Sequence, residues 1–333
     1  MLSPRGLHSL GDRPVLPFDA ASAVAAPCIA VLIPCRNEAI AIAGVVAAFR
    51  SALPGATVYV YDNASADDTA AIARNAGAVV RREDTPGKGG VVRRMFAEIE
   101  ADVYLLVDGD ATYDATRAPE LTRLLIDEGL DMVTAIREHD DAAAYRTGHA
   151  SGNRMMNALL GFLFGVQPTD MLSGYRAFSR RFVKSFPSSA QRFEIETELT
   201  VHALEMRVPC GEIVTRYVAR PEGSSSKLNT WSDGLRIVRF MVRLFRDVRP
   251  LMFFALLAAV LGIVGLLLGG SVVIEYMHTS LVRRLPTAVL ATGLMLLSSL
   301  LLTCGLILDS VARGRLEAKR LAYLSTGGPA RRG

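Results

Sequence analysis

The segment VYLLVDGD, Val103 to Asp110, decides the fold: five apolar residues run straight into two carboxylates separated by one glycine. A short, uninterrupted apolar run is what a parallel strand buried on both faces looks like, and in such sheets ligands bind beyond the C-terminal strand ends. Working outward, Ile29 to Ile33, Val58 to Tyr61, Ala78 to Val80 and Met132 to Ile136 are runs of the same kind. Between them, Ile40 to Ala52, Asp67 to Ala76, Val91 to Glu98 and Ala118 to Glu128 carry helical patterns, with Ser65 or Asp67 placed to cap the second. The alternation predicts an α/β fold: a Rossmann-like, mostly parallel sheet flanked by helices and joined by right-handed crossovers.

Three of these strands end in polar clusters at one edge. The first runs into IPCRNE (Ile33 to Glu38), the second into YDNASADDT (Tyr61 to Thr69) and the fourth into VDGD (Val107 to Asp110). A single aspartate after a strand is usually a turn former or a helix cap, but three converging clusters mark a binding edge. Asp108 and Asp110 repel unless a cation lies between them, and hard oxygen donors suit Mg2+ or Mn2+, which also bridges a diphosphate. Both are read as metal ligands, and the metal would neutralise charge growing on a departing nucleoside diphosphate. Asp62 is placed to accept from a base N–H, and Glu38 with Pro34 to frame a nucleoside. Lys88, on the flexible glycine frame of TPGKGG (Thr85 to Gly90), is placed to reach a phosphate or ribose. No GxGxxG follows the first strand and no GxxxxGK(S/T) occurs, so the usual dinucleotide and P-loop readings lose support.

Composition adds a membrane. The 333 residues are 50% hydrophobic and 21% charged, yet the mean hydropathy is +0.28, which argues against an ordinary soluble enzyme. The excess sits in two charge-free runs, Leu251 to Ile274 and Pro286 to Leu308, each long enough to cross about 30 Å of hydrocarbon as a helix. Arg236, Arg239, Arg243, Arg246 and Arg249 precede the first run, and Arg313, Arg315, Lys319 and Arg320 follow the second. The connecting loop has only Arg283 and Arg284, so both ends are expected on the cytoplasmic side of the membrane. On a helix, Arg236, Arg239, Arg243 and Arg246 share an arc opposite Ile237, Phe240, Met241, Leu244, Phe245 and Val248. Such a helix either lies on anionic lipid, the preferred reading, or packs on its own domain. The net charge of +4 belongs to these flanks; no aromatic and basic module for nucleic acid is visible.

Cys28, Cys35, Cys210 and Cys304 show neither zinc nor disulfide spacing, and His139, His149 and His202 show no metal spacing. Residues 1–27 read as a mobile tail, neither signal peptide nor anchor. The expected divisions are therefore a tail at 1–27, a catalytic domain at 28–228, an amphipathic helix at 229–249, a two-helix membrane domain at 250–312 and a basic cytoplasmic tail at 313–333.

IPCRNE, YDNASADDT, PGKGG and DGD, in this order and spacing, resemble the donor half of a family 2 inverting glycosyltransferase of the GT-A fold. DMLSGYRAFSRRF (Asp170 to Phe182), FEIETEL (Phe193 to Leu199) and RPEGSSSKL (Arg220 to Leu228) resemble the polyprenyl-phosphate glycosyltransferases, the group that includes dolichyl-phosphate mannose synthase. The likeness covers about Ile29 to Leu228, and the two C-terminal runs match the bacterial members. It implies that Asp108 and Asp110 bind metal and diphosphate. Pro34, Arg36, Asn37, Glu38, Asp62, Asn63, Lys88 and Gly109 would complete the donor site. Ser173, Arg176, Arg220, Ser226 and Lys227 would serve the acceptor phosphate. Asp110, Asp170, Arg176 and Glu196 are the candidate catalytic residues, with Asp170 either orienting Arg176 or acting as a base. Glu194, Glu196 and Glu198 also fit an acidic first helical turn. A homo-oligomer, up to a tetramer, is implied too, and Gly262, Gly265, Gly269 and Gly270 permit close helix packing.

A lipid phosphate fits this residue set as acceptor. A sugar hydroxyl needs a general base, whereas a phosphate monoester with its second pKa near about 6 is already ionised at neutral pH. The expected reaction is inverting sugar transfer from a nucleoside diphosphate, UDP before GDP, to polyprenyl (undecaprenyl) phosphate. The rivals are transfer to a sugar or diacylglycerol hydroxyl, a GDP-mannose-dependent polyprenyl-phosphate mannose synthase, and a silent membrane scaffold.

Overall fold

The computed structural model describes residues 26–139, 157–158, 160–162, 164–165, 169–187, 195–218, 239–240 and 242–327. Strand β1 (Ile29–Cys35) leads to α1 (Ile42–Ala52), β2 (Thr57–Asp62), α2 (Thr69–Asn75), β3 (Val79–Arg82), α3 (Lys88–Glu98), β4 (Val103–Leu106), α4 (Ala118–Asp127) and β5 (Met132–His139). Then follow β6 (Arg176–Ser179), α5 (Arg180–Ser185), α6 (Ile195–Met206), β7 (Cys210–Tyr217), α7 (Pro250–Thr279) and α8 (Leu285–Ser325).

The seven strands form one sheet in the order β3-β2-β1-β4-β6-β5-β7. Parallel pairing joins β1 to β2 and β4, β2 to β3, and β5 to β7; β6 alone runs antiparallel, between β4 and β5. Helices α1, α2 and α4 cover one face through Ile42, Phe49, Ala73 and Leu125. Helices α3, α5 and α6 cover the other through Met95, Phe182 and Leu199. Side chains wholly enclosed on the two faces, such as Ile33 on the first and Leu106 on the second, each stabilise by about 2 kcal/mol through burial alone. The register sets Cys35 beside Asp62, so the segments leaving β1 and β2 emerge together.

Helix α3 starts at Lys88, three residues before the expected Val91. Gly87, at φ 145°, turns the chain into it, so Lys88, Gly89 and Gly90 form a helical first turn rather than a flexible loop.

Among the described residues, α7 and α8 are the two helices long enough and apolar enough to cross a membrane, and most of their apolar surface is uncovered. They pack on each other tightly. A Cβ at Gly265 would lie 3.3 Å from Leu294 Cβ, one at Gly305 would lie 3.0 Å from Phe254 Cβ, and Ser298 Oγ donates to the Ala258 carbonyl at 2.8 Å. Gly262 and Gly265 thus serve contact within the hairpin, whereas a Cβ at Gly270 would meet open space. The division expected at 312 falls inside α8, which continues without a break to Ser325.

Residues 242–248 are helical, and Leu244 is buried against Leu160, Met171 and Val201, with Phe240 and Val248 packed beside it. The apolar side of this segment therefore faces the catalytic domain, the second of the two expected arrangements. Arg236, Ile237 and Met241 lie outside the described residues, as does most of the expected N-terminal tail.

Candidate active site

The first two strand-end segments are sewn together. Asn37, at φ 53°, donates its backbone N–H to Ser65 Oγ (2.9 Å), and its Oδ1 accepts from the Ala66 N–H (2.8 Å). The Glu38 N–H donates to Thr69 Oγ1 at 2.9 Å, and the Glu38 carbonyl accepts from Ala41 and Ile42 to start α1. Asn63 ties in the third segment: its Nδ2 donates to the carbonyls of Glu83 and Thr85, and its Oδ1 accepts from the Gly87 N–H at 2.7 Å. The side chains of Asn37 and Asn63 are thus engaged in shaping the edge. Asp62, at the end of β2, is buried, and its Oδ1 has no partner. An unpaired buried acceptor costs roughly 1–3 kcal/mol, which an incoming N–H would recover.

Lys88 joins the donor edge to the other half of the sheet. Its ammonium contacts both Asp108 and Glu196, the latter in the first turn of α6. Burial alone would lower the lysine pKa, but the two carboxylates outweigh it and hold the group above its ordinary value and charged. Asp108 fits against Gly174, where a Cβ would lie 2.9 Å from its Cγ, and Gly109 fits against Cys35, where a Cβ would lie 2.7 Å from Sγ. A methyl group at either place would displace that neighbour. Asp110 accepts from Thr112 Oγ1 at 2.6 Å. Pro34 is the penultimate residue of β1, level with Tyr61 of β2, and Arg36 lies on the bend that leaves the strand.

Among the described residues, no three His, Cys, Asp or Glu side chains converge as a ready-made metal cage. The oxygen donors of Asp108 and Asp110 would suit a hard divalent cation such as Mg2+ or Mn2+, with the rest of its coordination supplied from outside the chain. A cavity of about 510 Å³ borders Asp108, Tyr113 and Phe49 on the α1 face; neither Asp62 nor Glu196 lines it.

The residues beyond β5 are placed differently from their expected use. Arg176 is wholly buried: Nε donates to the Ser173 carbonyl and Nη1 to Thr200 Oγ1, both at 2.9 Å, and Nη2 donates to the Met171 carbonyl. It fastens the 171–173 turn to α6 and has no surface to offer an acceptor phosphate. Ser173 is likewise enclosed, donating to the Ala135 carbonyl at 2.6 Å. Asp170 does not hold Arg176; it takes a bidentate pair from Arg137 at 2.7 and 2.8 Å. Burial would raise its pKa, but Arg137 keeps it below the usual aspartate value, which disfavours a proton-accepting role near neutrality. Arg220, Ser226, Lys227 and Glu194 lie outside the described residues.

Sequence reasoning missed Arg137, Tyr113 and Gly174. Arg137 lies 5.4 Å above the Tyr217 ring, and Tyr113 Oη accepts from the Gly174 N–H at 2.8 Å. Gly174 stands within the quoted SGYR run and could have been flagged; Arg137 carried no signal.

The sequence model described as Glycosyl transferase family 2 matches residues 30–186. Glycosyltransferase AglJ of Haloferax volcanii is 32% identical over 299 residues, spanning 89% of this chain and 98% of the relative. The chain belongs to glycosyl transferase family 2. This family 2 glycosyltransferase is also 26% identical to a dolichyl-phosphate hexose transferase of the same organism, over 66% of this chain and 95% of that one. Its fold is that of glucosyl-3-phosphoglycerate synthase from Mycobacterium tuberculosis, solved with Mn2+, UDP and glucosyl-3-phosphoglycerate. There the TM-score is 0.53 at 22% identity, covering 66% of this chain and 79% of that one.

Proposed function

We propose that this enzyme transfers a hexose from a nucleoside diphosphate, UDP by preference, to polyprenyl phosphate at the cytoplasmic face of a bacterial membrane, with inversion. The observation that carries the reading is the state of the two candidate bases. Asp170 is paired with Arg137 and Glu196 with Lys88, so neither is poised to deprotonate a hydroxyl, whereas a phosphate acceptor arrives ionised. The membrane-length hairpin and the relative named a dolichyl-phosphate hexose transferase support a lipid carrier for that phosphate.

In this reading Asp62 Oδ1 accepts from the base and Glu38 frames the nucleoside. Asp108 and Asp110 would hold Mg2+ or Mn2+, which when bound neutralises charge on the leaving diphosphate. Lys88 stands at the junction of donor and acceptor, fixed by Glu196. An acceptor phosphate oxygen attacks the anomeric carbon, the bond from that carbon to the diphosphate breaks, and the nucleoside diphosphate leaves. Arg176 positions the 171–173 turn; Arg220, Ser226 and Lys227 are proposed to meet the acceptor phosphate.

The test is incubation of the full-length protein with undecaprenyl phosphate and a panel of UDP- and GDP-sugars with Mn2+, followed by mass analysis of the lipid. A mass gain of one hexose on the lipid phosphate is expected. Sugar transferred to diacylglycerol instead, or no lipid product from any donor, would overturn the reading.

A further inference from the structure

Helix α8 is far longer than a bilayer requires. Its 41 residues extend about 60 Å, twice the roughly 30 Å of hydrocarbon. The apolar run ends at Leu308, and from Asp309 onward the same helix carries Arg313, Arg315, Glu317, Lys319 and Arg320 without interruption.

This polar end is docked, not free. Tyr323 Oη donates to Asp131 Oδ2 at 2.7 Å. Asp131, at the start of β5, is wholly buried and also accepts from Ser179 Oγ at 2.6 Å and from Arg181 Nε and Nη2. The Arg181 guanidinium lies 4.7 Å from the Tyr323 ring centroid. Four residues N-terminal to Tyr323, Lys319 Nζ pairs with Glu205 at 2.7 Å, both side chains mostly covered. A buried carboxylate is costly unless every lone pair is matched, and a fully matched network tolerates one geometry.

The anchor points sit at the far ends of the elements that build the acceptor half. From Asp131, β5 leads to Arg137; Glu205 lies in the last turn of α6, whose first turn holds Glu196, the partner of Lys88. Glu196 and Glu205 are separated by about 13 Å of helical rise.

We propose that the polar end of α8 is a rigid splint holding the catalytic cleft at the level of the bilayer surface, with Tyr323 and Lys319 as positioning residues for a membrane-borne acceptor. The acceptor clause rests on the function proposed above; the splint itself does not.

The experiment uses the full chain in nanodiscs of phosphatidylethanolamine and phosphatidylglycerol carrying headgroup energy-transfer acceptors, with a donor dye at exposed Glu128→Cys. Lys319→Glu combined with Tyr323→Phe is expected to broaden the dye-to-bilayer distance distribution. It should slow transfer to undecaprenyl phosphate in the disc more than tenfold, leaving KM for the nucleotide sugar and transfer to a water-soluble short-chain prenyl phosphate within twofold. In an otherwise unaltered chain, Lys319→Glu with Glu205→Lys should restore what Lys319→Glu alone removes, which separates a lost contact from a misfolded chain. An unchanged distance distribution, or equal loss toward both acceptors, overturns the splint. If no prenyl phosphate proves to be a substrate, the distance readout still decides it.

Discussion

The two halves of the sheet treat charge in opposite ways. At the ends of β1, β2 and β4, polar groups are presented: Asp62 keeps an unmatched oxygen, and Asp108 shares one ammonium with Glu196. Around β5, β6 and α6, charges are closed on one another: Arg137 on Asp170, Arg176 on two carbonyls and Thr200, Arg181 on Asp131. A buried charge facing a ligand must stay incompletely matched until the ligand comes, whereas a charge that shapes a wall is matched at once. Substitutions in the first half should therefore remove turnover, and those in the second should remove stability.

The largest effect expected is from Asp108→Asn, which should lower kcat/KM by about 10³ through lost stabilisation of the leaving group while the melting temperature barely moves. Calorimetric titration with Mn2+ and UDP, compared with wild type, checks this; undiminished turnover would erase the contrast at its strongest point. Next, Arg176→Met leaves three buried acceptors without a donor and should cost roughly 3 kcal/mol of unfolding free energy, read from the denaturant midpoint. If the variant keeps its stability but loses affinity for lipid phosphate, Arg176 belongs with the first half.

Gly174→Ala sharpens the boundary between the halves, because its methyl group would push on Asp108 from the acceptor side. Turnover should fall by roughly 10–100-fold, as for a misplaced reacting group, with little loss of stability. The remaining prediction is one of pH and concerns His202 on α6, whose Nδ1 is buried without a partner and whose Nε2 lies 3.1 Å from Ser185 Oγ. Burial, with Lys319 adding to it, depresses its pKa from 6.5 to about 3. The unfolded chain therefore binds a proton in that window while the folded one does not, so stability falls as pH drops from about 6.5 toward 3, by up to ~1.4 kcal/mol per pH unit. His202→Gln should flatten that part of the stability profile; an unchanged slope between pH 6 and 4 would show that His202 is not its source.

The same contrast explains what the sequence revealed. Strands β1, β2, β4 and β5 begin within one residue of their expected starts because buried parallel strands are apolar throughout, and the acids beyond them cannot be mistaken for core. Strand β6 was not anticipated: its four residues include Arg176 and Ser179, and a buried arginine in a strand looks like a surface residue until its acceptors are seen. The early start of α3 was hidden by Gly87, Gly89 and Gly90, which ordinarily weaken helices. Arg137, Tyr113 and the docking of Tyr323 depend on contacts between distant segments. Lys319 was legible only as a basic flank of a membrane span.

Because α8 is continuous from its membrane-length apolar run to the tyrosine that meets Asp131, it transmits angle as well as height. One residue inserted after Leu308 would swing Tyr323 about 100° around the axis and away from its carboxylate; four would return it to within about 40° but move it some 6 Å farther along. The length of this helix is thus fixed in whole residues, as the tooth count of a gear is fixed, by the need for one aromatic hydroxyl to arrive in phase.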